Sequence, residues 1–125
     1  MRVRYLGASS APPRPVDGRY RFTPGKEYVV LELHIRSDGS SSLRIEHSPD
    51  DLPGLYSGKY FEQVSDIIPS QWSVEIYQQG GVSLGPKEWI AVAGDFWERM
   101  MERDSEAEAA FEVTRDAIMA ADPVA

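Results

Sequence analysis

The side chains best suited to bond-making chemistry are His34 and His47, the only histidines, and the carboxylates Glu46, Asp50 and Asp51 beside the second of them. Neutral imidazole binds transition metals and moves protons near neutral pH. On adjacent strands of one hairpin the two histidines would face each other, and with Asp50 or Asp51 they would make a thin metal site. Glu46, Asp50 and Asp51 would likewise make a carboxylate pair for acid and base work if a cleft enclosed them. Strand histidines are far more often surface or hydrogen-bonded structural groups, and the carboxylates fall in a loop-forming stretch. The expectation is therefore no metal, no cofactor and no catalytic set. The chain also lacks a glycine-rich phosphate loop with its Lys and Ser/Thr, a nucleophile elbow and any cysteine.

Charge says more about partners. The 125 residues carry a net charge of −7, unevenly spread. Residues 1–36 hold seven basic and three acidic groups, residues 37–94 three and eight, and residues 95–125 three and nine. Phosphate contacts need a clustered cationic surface, so no nucleic-acid partner is expected and a basic protein is favoured. The carboxylates concentrate at Glu98, Glu102, Asp104, Glu106, Glu108 and Glu112, relieved only by Arg99 and Arg103. Such a face either solubilises a helix or steers a basic partner. Beside it, Trp89, Phe96, Trp97, Met100 and Met101 form the densest aromatic and thioether cluster. They seal helices against strands or, in part, form a binding patch, since Trp and Met are enriched at interface cores. Glu98, Glu102, Glu106, Glu108, Glu112, Trp89 and Trp97 are thus candidate partner-binding residues.

These groups must be positioned by a small mixed fold. With 42% apolar residues the chain is long enough for one core and short for two independent domains. Val29, Leu31, Leu33 and Ile35 alternate, predicting one long strand over 28–36 with those four side chains toward the core. Asp38-Gly39 predicts a hairpin tip, with Leu43 and Ile45 inward on the returning strand. Strands are also expected at 2–6 and 61–64, with Leu55 to Tyr60 as a tight turn. Gly7 to Gly18, with three prolines and with Arg14, Arg19 and Arg21 around it, reads as a long loop. Further on, Trp72 to Tyr77 predicts a strand with Trp72, Val74 and Ile76 inward. Gln78-Gln79-Gly80-Gly81 turns it back through Val82 to Leu84, and Pro86 begins a turn over 87–90. Asp95 is a candidate N-cap for a short helix from Phe96. Ser105 with Glu108 reads as a capping box opening a second helix to about Ala121. That helix docks by Ala107, Ala110, Phe111, Thr114, Ile118 and Ala121, with Glu106, Glu108, Glu112, Arg115 and Asp116 largely off the stripe. Asp122 to Ala125 reads as a frayed tail.

The order of first strand, long loop, Phe22-Thr23-Pro24-Gly25-Lys26-Glu27-Tyr28-Val29-Val30-Leu31, hairpin, and Gly54-Leu55-Tyr56-Ser57-Gly58-Lys59-Tyr60-Phe61-Glu62-Gln63-Val64 resembles a Src-homology-3-like barrel. The resemblance covers about half the chain. It implies a barrel-like region over 1–66; with the β-hairpin and two C-terminal helices read from the pattern over 67–125, the expected fold is α+β and one compact unit. That family reads proline-rich peptides with a tryptophan early in the third strand and a proline in a 3₁₀ turn. Here Ser40-Ser41-Ser42 and Ser57-Gly58 stand at those places. Tyr5, Tyr56 and Tyr60 are left as groove candidates.

No apolar run reaches the roughly 18 residues of a membrane span, and no signal-type apolar segment follows Met1 to Leu6, so no membrane partner is expected. The absence of cysteine excludes disulfides and fits a reducing cytoplasm. A small, acidic, cysteine-free chain of this kind is similar in general character to bacterial immunity proteins, which bind and neutralise a toxin, often a basic nuclease. The expected function is a non-enzymatic protein-binding module of that sort. The alternatives are an adaptor or phage-type accessory barrel binding a peptide, and a small hydrolase or metal-dependent enzyme using His34 and His47.

Overall fold

Between Val29 and Glu32 the chain turns a corner from one β-sheet into another. The computed structural model describes residues 1–7, 22–48 and 51–124. Most of the long proline-bearing loop, with Arg14, Arg19 and Arg21, lies outside the described residues, as does Asp50. The strands are β1 (Arg2–Tyr5), β2 (Glu27–Val29), β3 (Glu32–Ile35), β4 (Ser41–Ile45), β5 (Gly54–Ser57), β6 (Phe61–Gln63), β7 (Trp72–Ile76) and β8 (Val82–Pro86). A 3₁₀ turn, Gly58–Tyr60, precedes β6, and the helices are α1 (Lys87–Ile90), α2 (Phe96–Met101) and α3 (Ser105–Ala121). The fold is α+β. Among the described residues the strands form two open antiparallel sheets, ordered β2-β1-β6 and β5-β4-β3-β8-β7.

The single long strand predicted over 28–36 is two strands. Val30 donates its N–H to Met1 O in the first sheet, whereas Leu31 donates to Arg44 O in the second. Consecutive residues in a flat strand point to opposite faces. Here Val29, Val30, Leu31 and Glu32 are all buried, because both faces of the corner are covered. Alternation could not reveal this, since Val-Val-Leu-Glu-Leu is equally apolar on either side of the bend. Ile35, expected in the core, is 38% exposed.

The hairpin between β3 and β4 follows the sequence closely. Asp38 Oδ1 accepts from the N–H and hydroxyl of Ser40, and Gly39 takes the positive φ of 89° that such a turn requires. The resulting register sets Glu32 opposite Arg44 and His34 opposite Ser42. Leu43 and Ile45 are buried as expected. The segment from Leu55, read as a turn, instead begins within β5, which pairs along β4 before the 3₁₀ turn.

Cross-strand neighbours share a face, so Val74 lies with Leu84, Leu33 and Leu43. That face is covered at the β4–β5 end, where Phe22 packs on Tyr56, Tyr5 and Phe61 with ring centroids 4.6–5.5 Å apart. The cover does not extend to β7, the edge strand. Val74 and Ile76, predicted inward, are 57% and 74% exposed, and only Trp72 of the three is buried. The helices cover the opposite face. Gly85 permits this approach, because a Cβ there would come within 2.9 Å of both Glu32 and Ile90.

Two helix boundaries also differ from expectation. Asp95 precedes α2 but makes no side-chain cap. The cap of α3 is Asp104, whose Oδ1 accepts from the N–H groups of Glu106 and Ala107, so Ser105 is the first helical residue. Phe111, Ala107 and Ile118 dock α3, whereas Ala110 and Ala121 remain exposed. Asp122, read as part of a frayed tail, is 3% exposed and bound to Arg2 and Ser65. Among the described residues no helix is long and apolar enough to cross a membrane.

Candidate functional site

Helices α1, α2 and α3 meet around a second aromatic cluster. Trp89 stacks on Phe96 and Phe111, with centroids 5.5 and 5.2 Å away, and Trp97 meets Trp89 edge-on at 5.3 Å. Trp89, Phe96 and Met100 are buried and Met101 is 72% exposed. Trp89 therefore seals the helical layer, and Trp97 is half-buried and fixed from below: its Nε1 donates to Glu32 Oε2 at 2.9 Å, while Arg44 lies 3.9 Å over its ring.

Glu98, Glu102, Glu106 and Glu112 are exposed, and Glu108 is half-exposed. The nearby cations are engaged locally. Arg99 bonds to Asp104 at 3.1 Å and to Glu106 at 3.4 Å, and Arg103 lies 3.5 Å from Glu108. The Arg99 guanidinium, with the N–H groups of Ala107 and Glu106, holds the Asp104 carboxyl below its ordinary range. Among the described residues no salt bridge involves Glu98, Glu102 or Glu112, so the helical end carries uncompensated negative charge. Arg115, placed off the docking stripe by its spacing, instead reaches Glu46 at 3.3 Å with its side chain only 17% exposed. Burial pushes the Glu46 carboxyl up, with Arg115 opposing.

A cleft of about 650 Å³ opens where these helices meet. Trp89, Phe96, Ala91, Ala107 and Ala110 form its apolar walls, and Glu88, Asp95, Glu106 and Arg99 reach it. Sequence reasoning missed this cleft. Its signal is the small residues Ala91, Gly94, Ala107 and Ala110, which leave space between helices that larger side chains would fill. The arrangement holds no nucleophile paired with a base. It can enclose an apolar side-chain stem and surround a cationic head.

The histidines do not meet in one site. His47 packs edge-on against Phe22 at 6.0 Å and lies 3.8 Å from Asp51. His34 belongs to a polar line under the helices: Ser83 Oγ is 2.6 Å from its Nδ1, and its Nε2 is 2.9 Å from Glu32 Oε1. Carboxylate oxygens only accept, so Nε2 donates to Glu32, and neutral His34 accepts from Ser83 through Nδ1. Tyr77 OH completes the line 2.8 Å from Ser83. Glu32 also accepts from Arg44 Nε at 3.2 Å, which satisfies a carboxylate that is 1% exposed. Burial lowers the Arg44 pKa, with Glu32 opposing. The hairpin centred on Asp38 was the available signal, since it sets Glu32 opposite Arg44. Among the described residues no group of three or more His, Asp or Glu side chains is arranged to hold a metal ion.

Of the groove candidates, Tyr5 is 2% exposed and Tyr56 and Tyr60 are half-buried against the core, with Lys59 5.0 Å over the Tyr60 ring. Comparison of the chain with protein-family models, with curated proteins and with solved structures finds no match.

Proposed function

We propose that this chain is a non-enzymatic, cytoplasmic protein-binding module that recognises a basic protein through its helical end, in the manner of an immunity protein neutralising a basic toxin. The observation that carries this is the set of exposed carboxylates Glu98, Glu102 and Glu112, without salt bridges among the described residues, beside cations already committed to Asp104, Glu106 and Glu108. Clustered uncompensated charge attracts an oppositely charged partner over about 8 Å at physiological ionic strength and raises the association rate. The strand order β2-β1-β6 and β5-β4-β3, with a 3₁₀ turn before β6, supports a Src-homology-3-like arrangement for residues 1–66. That arrangement is a scaffold here, since Tyr5 is enclosed and a peptide groove would rest on Tyr56 and Tyr60 alone. Affinity purification from host cells, repeated at rising salt, tests the reading: retention of a basic protein at low salt is expected, and retention of neutral or acidic proteins only would reject it.

A hydrolase reading has one observation in its favour, the Ser83, His34 and Glu32 line, which has the order of nucleophile, base and acid. Ser83 is 1% exposed, and its oxygen is engaged by Tyr77 as well as His34. Labelling of Ser83 by a fluorophosphonate in the folded protein would support hydrolysis, and its inertness is expected.

A further inference from the structure

We propose that the cleft between α1, α2 and α3 receives an arginine or lysine side chain from the protein partner; this rests on the acidic-end reading and names the group it recognises. The cleft's 650 Å³ lies within the range of small-molecule pockets, which leaves ample room for one long side chain. Its walls suit the methylene stem of a long cation, because Ala107 and the edges of Trp89 and Phe96 are apolar. Its rim selects the head group. Among the described residues Glu88 and Asp95 form no salt bridge, whereas the one cation present, Arg99, is bonded to Asp104 and Glu106. The rim thus sets three carboxylates, Glu88, Asp95 and Glu106, against one guanidinium, and its net charge is negative. A carboxylate side chain would be repelled there, and an aliphatic one would leave Glu88 and Asp95 without a new partner.

The test is a titration of the full chain, followed by ¹H–¹⁵N spectra, with the blocked peptide Ac-Ala-Arg-Ala-NH₂ and its norleucine and glutamate counterparts. The arginine peptide is expected to shift the Trp89 indole and the amides of Gly94, Asp95, Ala107 and Ala110. The norleucine peptide should bind several-fold more weakly and the glutamate peptide should leave these signals in place. Neutralising Glu88→Gln or Asp95→Asn should weaken binding about two- to fivefold each, as for exposed ion pairs. Ala110→Leu, at an exposed helical position that lines the cleft, should narrow it, keep the fold and weaken the response. Shifts mapping elsewhere, equal response to arginine and norleucine, indifference to Ala110→Leu, or no response at millimolar peptide would each overturn the assignment. Salt-dependent capture of a basic protein that Ala110→Leu leaves undiminished would reject the cleft and spare the acidic-end reading. A cleft-mapped titration without such capture would do the reverse.

Discussion

Arg2 donates from Nε to Asp122 Oδ1 at 2.8 Å, joining the first strand to the end of the last helix across 120 positions of sequence. Ser65 also donates to Asp122, and the Met1 ammonium lies 3.4 Å away. Burial alone would raise the Asp122 pKa, but the bonds from Ser65 and Arg2 and the ammonium outweigh it and hold the carboxyl below its ordinary range. A lowered native pKa gives stability that is present above the unfolded value near 3.9 and is lost as pH falls through the native one. Asp122→Asn should therefore lower Tm by about 5–10 °C at neutral pH. The difference should start to shrink as pH falls below about 4 and vanish only below the lowered native pKa, where the folded wild-type carboxyl is protonated as well. Thermal melts at both pH values check this, and an unchanged Tm at neutral pH would mean the end of α3 is not held.

Phe111 is 4% exposed and stacks on Trp89, so it links α3 to the helical layer. Phe111→Ala should destabilise the protein by roughly 3–5 kcal/mol and change tryptophan fluorescence. Urea midpoints measure the first effect. No change in midpoint would mean that α3 is not docked by this side chain.

Glu32 and Arg44 form the enclosed ion pair beneath Trp97. Glu32→Gln leaves Arg44 without its counter-charge and should cost about 3–5 kcal/mol. The double change Glu32→Gln with Arg44→Met should recover part of that loss, because the unpaired cation is gone while the amide oxygen can still accept from Trp97 or His34. A double variant as unstable as the sum of the Glu32→Gln and Arg44→Met singles would show that the pair is not coupled.

Val74 and Ile76 supply the opposite case, large apolar side chains on a strand that is covered on one face only. Val74→Lys and Ile76→Lys should each change stability by no more than about 0.5 kcal/mol, the range for surface positions. A loss of several kcal/mol in denaturant melts would show that this face is covered.

The parts legible in the sequence were those with local causes. Asp38-Gly39 set the β3–β4 register, and the spacing of Ala107, Phe111 and Ile118 set the docked side of α3. What escaped depends on which layer lies over which face. Period-two spacing grouped Trp72, Val74 and Ile76 correctly, but it could not say that the covering layer ends before β7. The corner at Val30–Leu31 was hidden because both sides of the bend are apolar. Asp122 looked like a tail residue because its partners, Arg2 and Ser65, are distant in sequence. The acidic residues of the helical end were visible from composition, whereas the cleft beside them depends on the mutual approach of three helices.

The acidic end is tested most directly by a paired affinity purification using the wild type and a Glu102→Lys/Glu112→Lys variant. Both positions are exposed, and neither lies in the first turn of α3, where reversal would also oppose the helix dipole. With equal melting curves for the two proteins, the expected result is a basic protein enriched by the wild type at low salt and lost from both the double variant and the high-salt wash. Equal recovery of the same partner by both proteins at both salt concentrations would contradict recognition through the acidic helical end.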